Sequence, residues 1–164
     1  LSDISRQIDA IRIVHEKLYQ TEEINHINFK EYIGDLLNEI FSSFSSKTVT
    51  LDDKIEDISL RTRTAIPLGL IINEVATNAI KHGFPSTEQG ARFTVEMRED
   101  KQDNRYVLRL ANNGKPFPED IRFDNPDTLG LQLIGSLVEQ LQGTLELQRR
   151  PNPVFTIRFP KLDE

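Results

Sequence analysis

One stretch, Leu68-Gly69-Leu70-Ile71-Ile72-Asn73-Glu74-Val75-Ala76-Thr77-Asn78-Ala79-Ile80-Lys81-His82, dictates more about the architecture of this chain than any other. On a helix turning about 100° per residue, Leu68, Ile72, Val75, Ala76, Ala79 and Ile80 share one broad face. Glu74, Asn78 and Lys81 form a line on the other side, flanked by His82. Leu70 and Ile71 lie beside that line, so the first half of the helix is apolar almost all round. Such a helix is covered on both sides, and the chain must build layers around it. A carboxylate and an amide in that setting need partners, because burying them unpaired costs about 1–3 kcal/mol or more. On an ordinary surface helix the same line would be a solvated stripe without chemical meaning, and the pattern alone leaves both readings open.

A Mg²⁺ ion with its phosphates would complete the buried reading. Mg²⁺ prefers oxygen ligands and keeps several waters, so the amide oxygen of Asn78 plus phosphate oxygens suffices. Glu74, one turn away, is placed to accept a proton or orient a nucleophile. Lys81 would neutralise phosphate as a point cation.

The rest of the chain gives that helix its neighbours. Leu1, Ile4, Ile8, Ile11, His15 and Leu18 follow alternating three- and four-residue steps, the seam of a coiled coil. The chain opens on a seam residue with no cap before it, which predicts a start inside a longer helix that pairs with another. The alternative is an amphipathic helix lying on the domain that follows. His15 with Glu16 is either a register-setting polar seam residue or a phosphate acceptor beside its acid. After a polar break at Thr21-Glu22-Glu23 and Asn25-His26, Asn28 caps a helix from Phe29 to about Ser45. Thr48 to Asp52 alternates as a strand, with Ile55 and Ile58 in a second short strand or an extended connection. Thr64 and Pro67 start the informative helix, Pro67 in its first turn, and Gly83 and Pro85 stop it. Strands are predicted at Arg92–Met97 and Arg105–Ala111, a helix at Leu129–Leu141 ended by Gly143, and strands at Thr144–Gln148 and Val154–Phe159. The order fits an α+β two-layer sandwich better than a doubly wound sheet.

Composition narrows the function. Lys and Arg total 20 against 26 Asp and Glu, a net charge of -6, which argues against general binding to nucleic acid or anionic membrane. With no cysteine, disulfide scaffolds, zinc-thiolate sites, iron–sulfur clusters and thiol nucleophiles are excluded. No apolar run approaches the roughly 18–20 residues of a membrane span, and Leu1-Ser2-Asp3-Ile4 has no signal-peptide pattern. The expected location is cytoplasmic, in a parent protein whose membrane anchorage is left open.

Two glycine segments follow the informative helix. Asn112-Asn113-Gly114 ends a strand and opens an irregular segment to Asp127; by itself it is a common turn signature. Asp127-Thr128-Leu129-Gly130-Leu131-Gln132-Leu133-Ile134 sets a cap candidate and a glycine at a helix start, where free N–H groups and the helix dipole suit phosphate. Neither a Walker A loop nor a dinucleotide fingerprint is present.

Taken in order, these pieces resemble the sensor histidine kinases. Asn73-Glu74-x-x-x-Asn78-Ala79-x-Lys81-His82 resembles their N-box. Asn112-Asn113-Gly114 with Phe117-Pro118-Glu119-Asp120 resembles the first glycine box, and Thr128 to Ile134 the second. Phe155-Thr156-Ile157-Arg158-Phe159-Pro160 resembles the closing strand, and Val14 to Gln20 the end of the dimerisation helices in one branch of the family. The resemblance implies the Bergerat ATP-binding fold, a mixed sheet with helices on one face and ATP between them under a lid. It implies an organisation with residues 1–27 as the end of a dimerisation helix and linker and 28–164 as the catalytic domain.

By the same resemblance, Glu74 is the acid that assists phosphoryl transfer, Asn78 the Mg²⁺ ligand, and Lys81 and His82 lie near the phosphates. Asn112 stands where adenine is read, with Gly114 and Phe117 shaping the pocket and Thr128, Gly130 and Leu131 at the phosphate end. The lid is about Lys115 to Thr128. The implied partners are ATP, a response regulator receiver domain and a second copy joined through the dimerisation helices. The phosphoacceptor histidine is expected upstream of Leu1. Three positions depart from the family pattern: Asn112 where Asp is usual, Pro116 in place of a second glycine, and Asn152-Pro153 where Gly-Thr is frequent. A kinase-like interaction module that does not bind ATP productively is the main alternative, and a serine kinase of the anti-sigma type a third.

Overall fold

A computed structural model describes residues 26–44, 48–84, 90–121 and 129–161, together with Ile8, Ile11 and Arg12. Expectations for His15, for most of the coiled-coil seam, for Thr128 and for the far part of the lid fall outside the described residues. Ile8 and Ile11 are helical and exposed.

The elements run β1 (His26–Asn28), α1 (Phe29–Ser42), β2 (Val49–Ile55), β3 (Ser59–Arg61), α2 (Thr62–Asn78), a π-helical segment (Ala79–Gly83), β4 (Ala91–Asp100), β5 (Arg105–Asn112), α3 (Leu129–Gln140), β6 (Thr144–Gln148) and β7 (Val154–Pro160). Five strands form one sheet in the order β2-β4-β5-β7-β6, parallel only between β2 and β4. This is the expected α+β sandwich with a mixed sheet. Strand alternation sets its inner face. Phe93, Val95 and Met97 of β4 stand opposite Asn112, Leu110 and Leu108 of β5. Leu110, Leu108 and Tyr106 in turn face Phe155, Ile157 and Phe159 of β7. The intervening residues form a polar outer face, where Glu96 lies 3.6 Å from Arg109 and Glu146 lies 2.8 Å from Arg158.

The helices cover the inner face. Asn28 caps α1 as expected, its Oδ1 accepting from the Glu31 N–H at 3.0 Å. Six residues of α1 are buried, Phe29, Tyr32, Ile33, Leu36, Leu37 and Ile40, at the three- and four-residue spacing of one helix face. Each such burial contributes about 1.5–3 kcal/mol. Between α1 and α3 runs α2, with Leu68, Ile71, Ile72 and Ala76 fully buried. It is the doubly covered helix its composition demands. Tyr32 of α1 lies so close to α2 that its hydroxyl occupies the space beside Gly69.

Three local expectations are corrected. From His26, where the polar break ends, the chain forms β1, paired antiparallel with β3 through Ile27 and Leu60. One buried residue per strand is too short a signal for periodicity to register. Helix α2 starts at Thr62, directly where the chain leaves β3, so Pro67 lies inside the helix and not in its first turn. Its missing N–H deprives the Arg63 carbonyl of an i−4 donor. At the end of α3 the left-handed residue is Gln142 (φ 57°) and not Gly143. Gly143 is needed instead for close approach, since a Cβ there would lie 2.7 Å from the Arg158 carbonyl oxygen.

Candidate nucleotide site

The polar line of α2 is the first component. Glu74 is 7% exposed and its neighbours Asn73 and Thr77 are buried with it. Asn78 and Lys81 are half-buried and His82 is exposed. Burial of Glu74 excludes the solvated-stripe reading for the middle of the helix. After Asn78 the helix widens into the π-helical segment, closed by the Phe84 N–H donating to the Ala79 carbonyl at 2.9 Å. The wider turn carries the Gly83 carbonyl out to the first glycine box, where it accepts from the Lys115 N–H at 3.0 Å.

The glycine box is the second component. Asn112 ends β5 on the inner face of the sheet and is 8% exposed. Its Oδ1 accepts from the Gly114 N–H at 2.8 Å and lies 3.6 Å from where a Gly83 Cβ would stand. Gly114 is pressed against the π-helical segment: a Cβ there would lie 2.5 Å from the Gly83 oxygen and 2.9 Å from Asn112 Oδ1. Only glycine fits. Asn113, predicted as a turn residue, also splices the start of β4 to this corner. Its side chain accepts from the Arg92 N–H at 2.7 Å and donates to the Gly90 carbonyl at 2.8 Å.

A third component comes from the connection between β6 and β7. The Asn112 N–H donates to the Pro153 carbonyl at 3.3 Å, and Asn152 Nδ2 donates to the Gly114 carbonyl at 2.8 Å. Asn152-Pro153, noticed in sequence only as a departure, thus clamps the glycine box from behind. Arg149 gave no sequence signal beyond its charge, yet it anchors the near part of the lid. Its guanidinium donates to the Ile121 carbonyl at 2.8 Å and to the Pro118 carbonyl. It also lies 5.3 Å over the Phe117 ring, which meets Phe155 edge-on at 5.7 Å. The Phe117 ring is therefore engaged in packing on the lid base. Leu131 likewise belongs to the core at 3% exposure, while Gly130 beside it is half-buried at the start of α3.

Asn112 and Gly114 thus meet Gly83 at the end of the helix that carries Glu74, Asn78 and Lys81, up to 40 residues away in sequence. Residues 64–163 match the family model described as histidine kinase-, DNA gyrase B- and HSP90-like ATPase. The chain belongs to this ATPase family. Residues 1–44 match a second model, described as histidine kinase. Blue-light-activated histidine kinase 2 of Erythrobacter litoralis is 23% identical over 153 residues, covering 89% of this chain and 43% of that protein. Sensor histidine kinase PdtaS of Mycolicibacterium smegmatis is 26% identical over 151 residues, covering 90% and 29%. The chain therefore spans less than half the length of these relatives. Among solved structures, the histidine kinase domain of an Erythrobacter litoralis blue-light activated histidine kinase superposes with a TM-score of 0.80 at 20% identity, over 95% of this chain and 73% of that one. That likeness establishes the ATPase fold.

Proposed function

We propose that this catalytic region binds Mg-ATP and directs its γ-phosphoryl group to a histidine upstream of Leu1, for relay to a response regulator receiver domain. The observation that carries the reading is the buried carboxylate of Glu74 on the helix whose π-helical end packs, at Gly83, so closely against Gly114 that a side chain has no room there. Family membership supplies the nucleotide. Bound Mg-ATP would contribute the transferable phosphoryl group. In this reading Glu74 accepts the proton of the attacking imidazole or orients it. Asn78 offers its amide oxygen to Mg²⁺, and Lys81 and His82 face the phosphates. Among the described residues no group of three or more acidic or histidine side chains could hold a metal, which accords with an ion that arrives with the nucleotide.

Gly130 and Leu131 supply backbone N–H groups at the start of α3, with Thr128 just before it. Residues 1–27 act in a homodimer as the end of the dimerisation helix, and 28–164 as the catalytic domain. Among the described residues no helix is long and apolar enough to cross a membrane. A cysteine-free chain also suits the cytoplasm, where we place the domain.

Titrating Mg-ATP into the chain by calorimetry tests the binding half, with Asn78→Ala expected to weaken it and to blunt its Mg²⁺ dependence. The transfer half needs the parent protein. Glu74→Gln is expected to lower acid-labile phosphorylation about 10²-fold or more, with nucleotide affinity changed only a few-fold. Failure of the wild-type chain to bind any nucleotide would favour the interaction-module alternative.

A further inference from the structure

At the end of α2 remote from Glu74, the β1–β3 ribbon and the helix start border a cavity of about 340 Å³, lined by His26, Arg61, Thr62 and Arg63. Its position follows from the topology. His26 and Arg61 are register partners across the ribbon, and α2 begins at Thr62 with no turn between. His26 and Arg63 are exposed, so the cavity opens to solvent. The lining carries two guanidiniums, an imidazole and a hydroxyl, and no carboxylate. In a chain of net charge -6 this inverts the overall balance.

The arrangement also runs against the helix it adjoins. The N-terminal end of a helix carries about +0.5 charge and favours acidic residues in its first turn. In α1 the rule holds, with the Asn28 cap and Glu31 in place. In α2 it is broken: Arg61 stands at the N-cap, Arg63 lies in the first turn, no acidic residue joins them, and no side chain caps the free N–H groups. Among the described residues, His26 and Arg63 make no side-chain hydrogen bond or ion pair. Asp57, the acid nearest in sequence to Arg61, accepts from Asn28 Nδ2 at 3.3 Å, at the other end of the ribbon.

We infer that this cavity is an anion site for a phosphoryl group, carried by free phosphate or by a small phosphate monoester. Guanidinium forks match phosphate oxygens two at a time, and a dianion balances two arginines. The Thr62 hydroxyl and the free N–H groups of the first turn supply further donors. The site is separate from the nucleotide corner, because Glu74 lies three turns further along the same helix, roughly 16 Å at 1.5 Å per residue. The inference therefore stands independently of the nucleotide reading.

Inorganic phosphate and glycerol phosphate are titrated separately into the wild-type chain and into Arg63→Ala. Sodium chloride holds the ionic strength constant, and the backbone amide resonance of Thr62 is followed. Both probes are expected to shift that resonance saturably in the wild type. Arg63→Ala is expected to weaken both about tenfold, the loss of one charge-assisted hydrogen bond. In chloride alone the variant is expected to melt no lower than the wild type, since a cation has left the positive end of α2. Equal affinities assign the site to the phosphoryl group itself, tighter ester binding to a phosphorylated metabolite, and weaker ester binding to free phosphate. A shift no larger than chloride produces, an affinity unchanged in Arg63→Ala, or displacement of phosphate by equimolar Mg-ATP overturns the inference. A lower melting temperature of Arg63→Ala in chloride also overturns it, because Arg63 would then be held by the protein itself.

Discussion

Replacing Gly114 with alanine probes the corner on which the site depends. The added methyl would meet backbone on one side, the Gly83 oxygen at 2.5 Å and its carbon at 2.8 Å, and Asn112 Oδ1 at 2.9 Å on the other. None of these is the free end of a flexible chain, so the strain must open the contact between the π-helical segment and the glycine box. One hydrogen bond spans that contact, Lys115 N–H to Gly83, and a second, Gly114 N–H to Asn112, lies within the box beside it, each worth about 1 kcal/mol. Overpacking adds about 1–3 kcal/mol. A loss of about 3 kcal/mol in a chain of 164 residues lowers the melting temperature by about 6–12 °C. Thermal unfolding followed by circular dichroism measures it. Gly135→Ala is the control: no atom lies within 4 Å of its added methyl, and inside α3 alanine is expected to stabilise by about 0.5–1 kcal/mol. If Gly114→Ala melts at or above the temperature of Gly135→Ala, the steric argument is wrong.

At the helix crossing, Gly69→Ala is expected to destabilise, because its methyl would lie 2.2 Å from the Tyr32 hydroxyl. Adding Tyr32→Phe should recover about 1–2 kcal/mol in a urea-unfolding double-mutant cycle, and additivity of the two changes would contradict the contact. Tyr32→Phe alone removes a buried hydroxyl with no partner and should cost nothing. Burial also raises the Tyr32 pKa above its ordinary value near 10, so ionisation opposes folding. Stability should be full below that pH and fall as pH rises past it, less steeply in Tyr32→Phe. Asn28→Ala removes the cap on α1 and is expected to cost about 1 kcal/mol by the same unfolding assay. Arg149→Ala should leave global stability nearly unchanged but speed amide exchange and proteolysis across residues 115–121, which lose its hydrogen bonds to Pro118 and Ile121.

What could be read from the amino-acid order was whatever repeats locally. The apolar face of α1, its Asn28 cap, the alternation of β4, β5 and β7 and the greasy circumference of α2 each announce themselves within a dozen residues. Strand order, and the pairing of β1 with β3, are decided by contacts between distant residues and had no local trace. The site divides the same way. Glu74, Asn78, Asn112 and Gly114 stood out by residue type and order. Gly83, Asn152 and Arg149 act by what they touch across the fold, and the inward turn of the Asn112 oxygen is visible only once Gly114 is seen beside it. Phe117 and Leu131 drew notice as box residues, yet their side chains are spent on packing.

Among the described residues, strand β2 closes one side of the sheet and has only β4 for a neighbour. Its free margin carries Asp52, Asp53 and Lys54 in succession. Lys54 is shared between Asp52 at 3.7 Å and Glu96 at 3.8 Å, while Asp53 has the inward register of Leu51 and Ile55, with Oδ1 3.2 Å from the Ile55 N–H. A further strand laid along that margin would have to strip water from Asp53 and crowd like carboxylates together. Copies of this domain held side by side by any other surface are thus kept from zipping into a continuous ribbon, and a Lys54→Val, Asp53→Val double replacement would remove that safeguard.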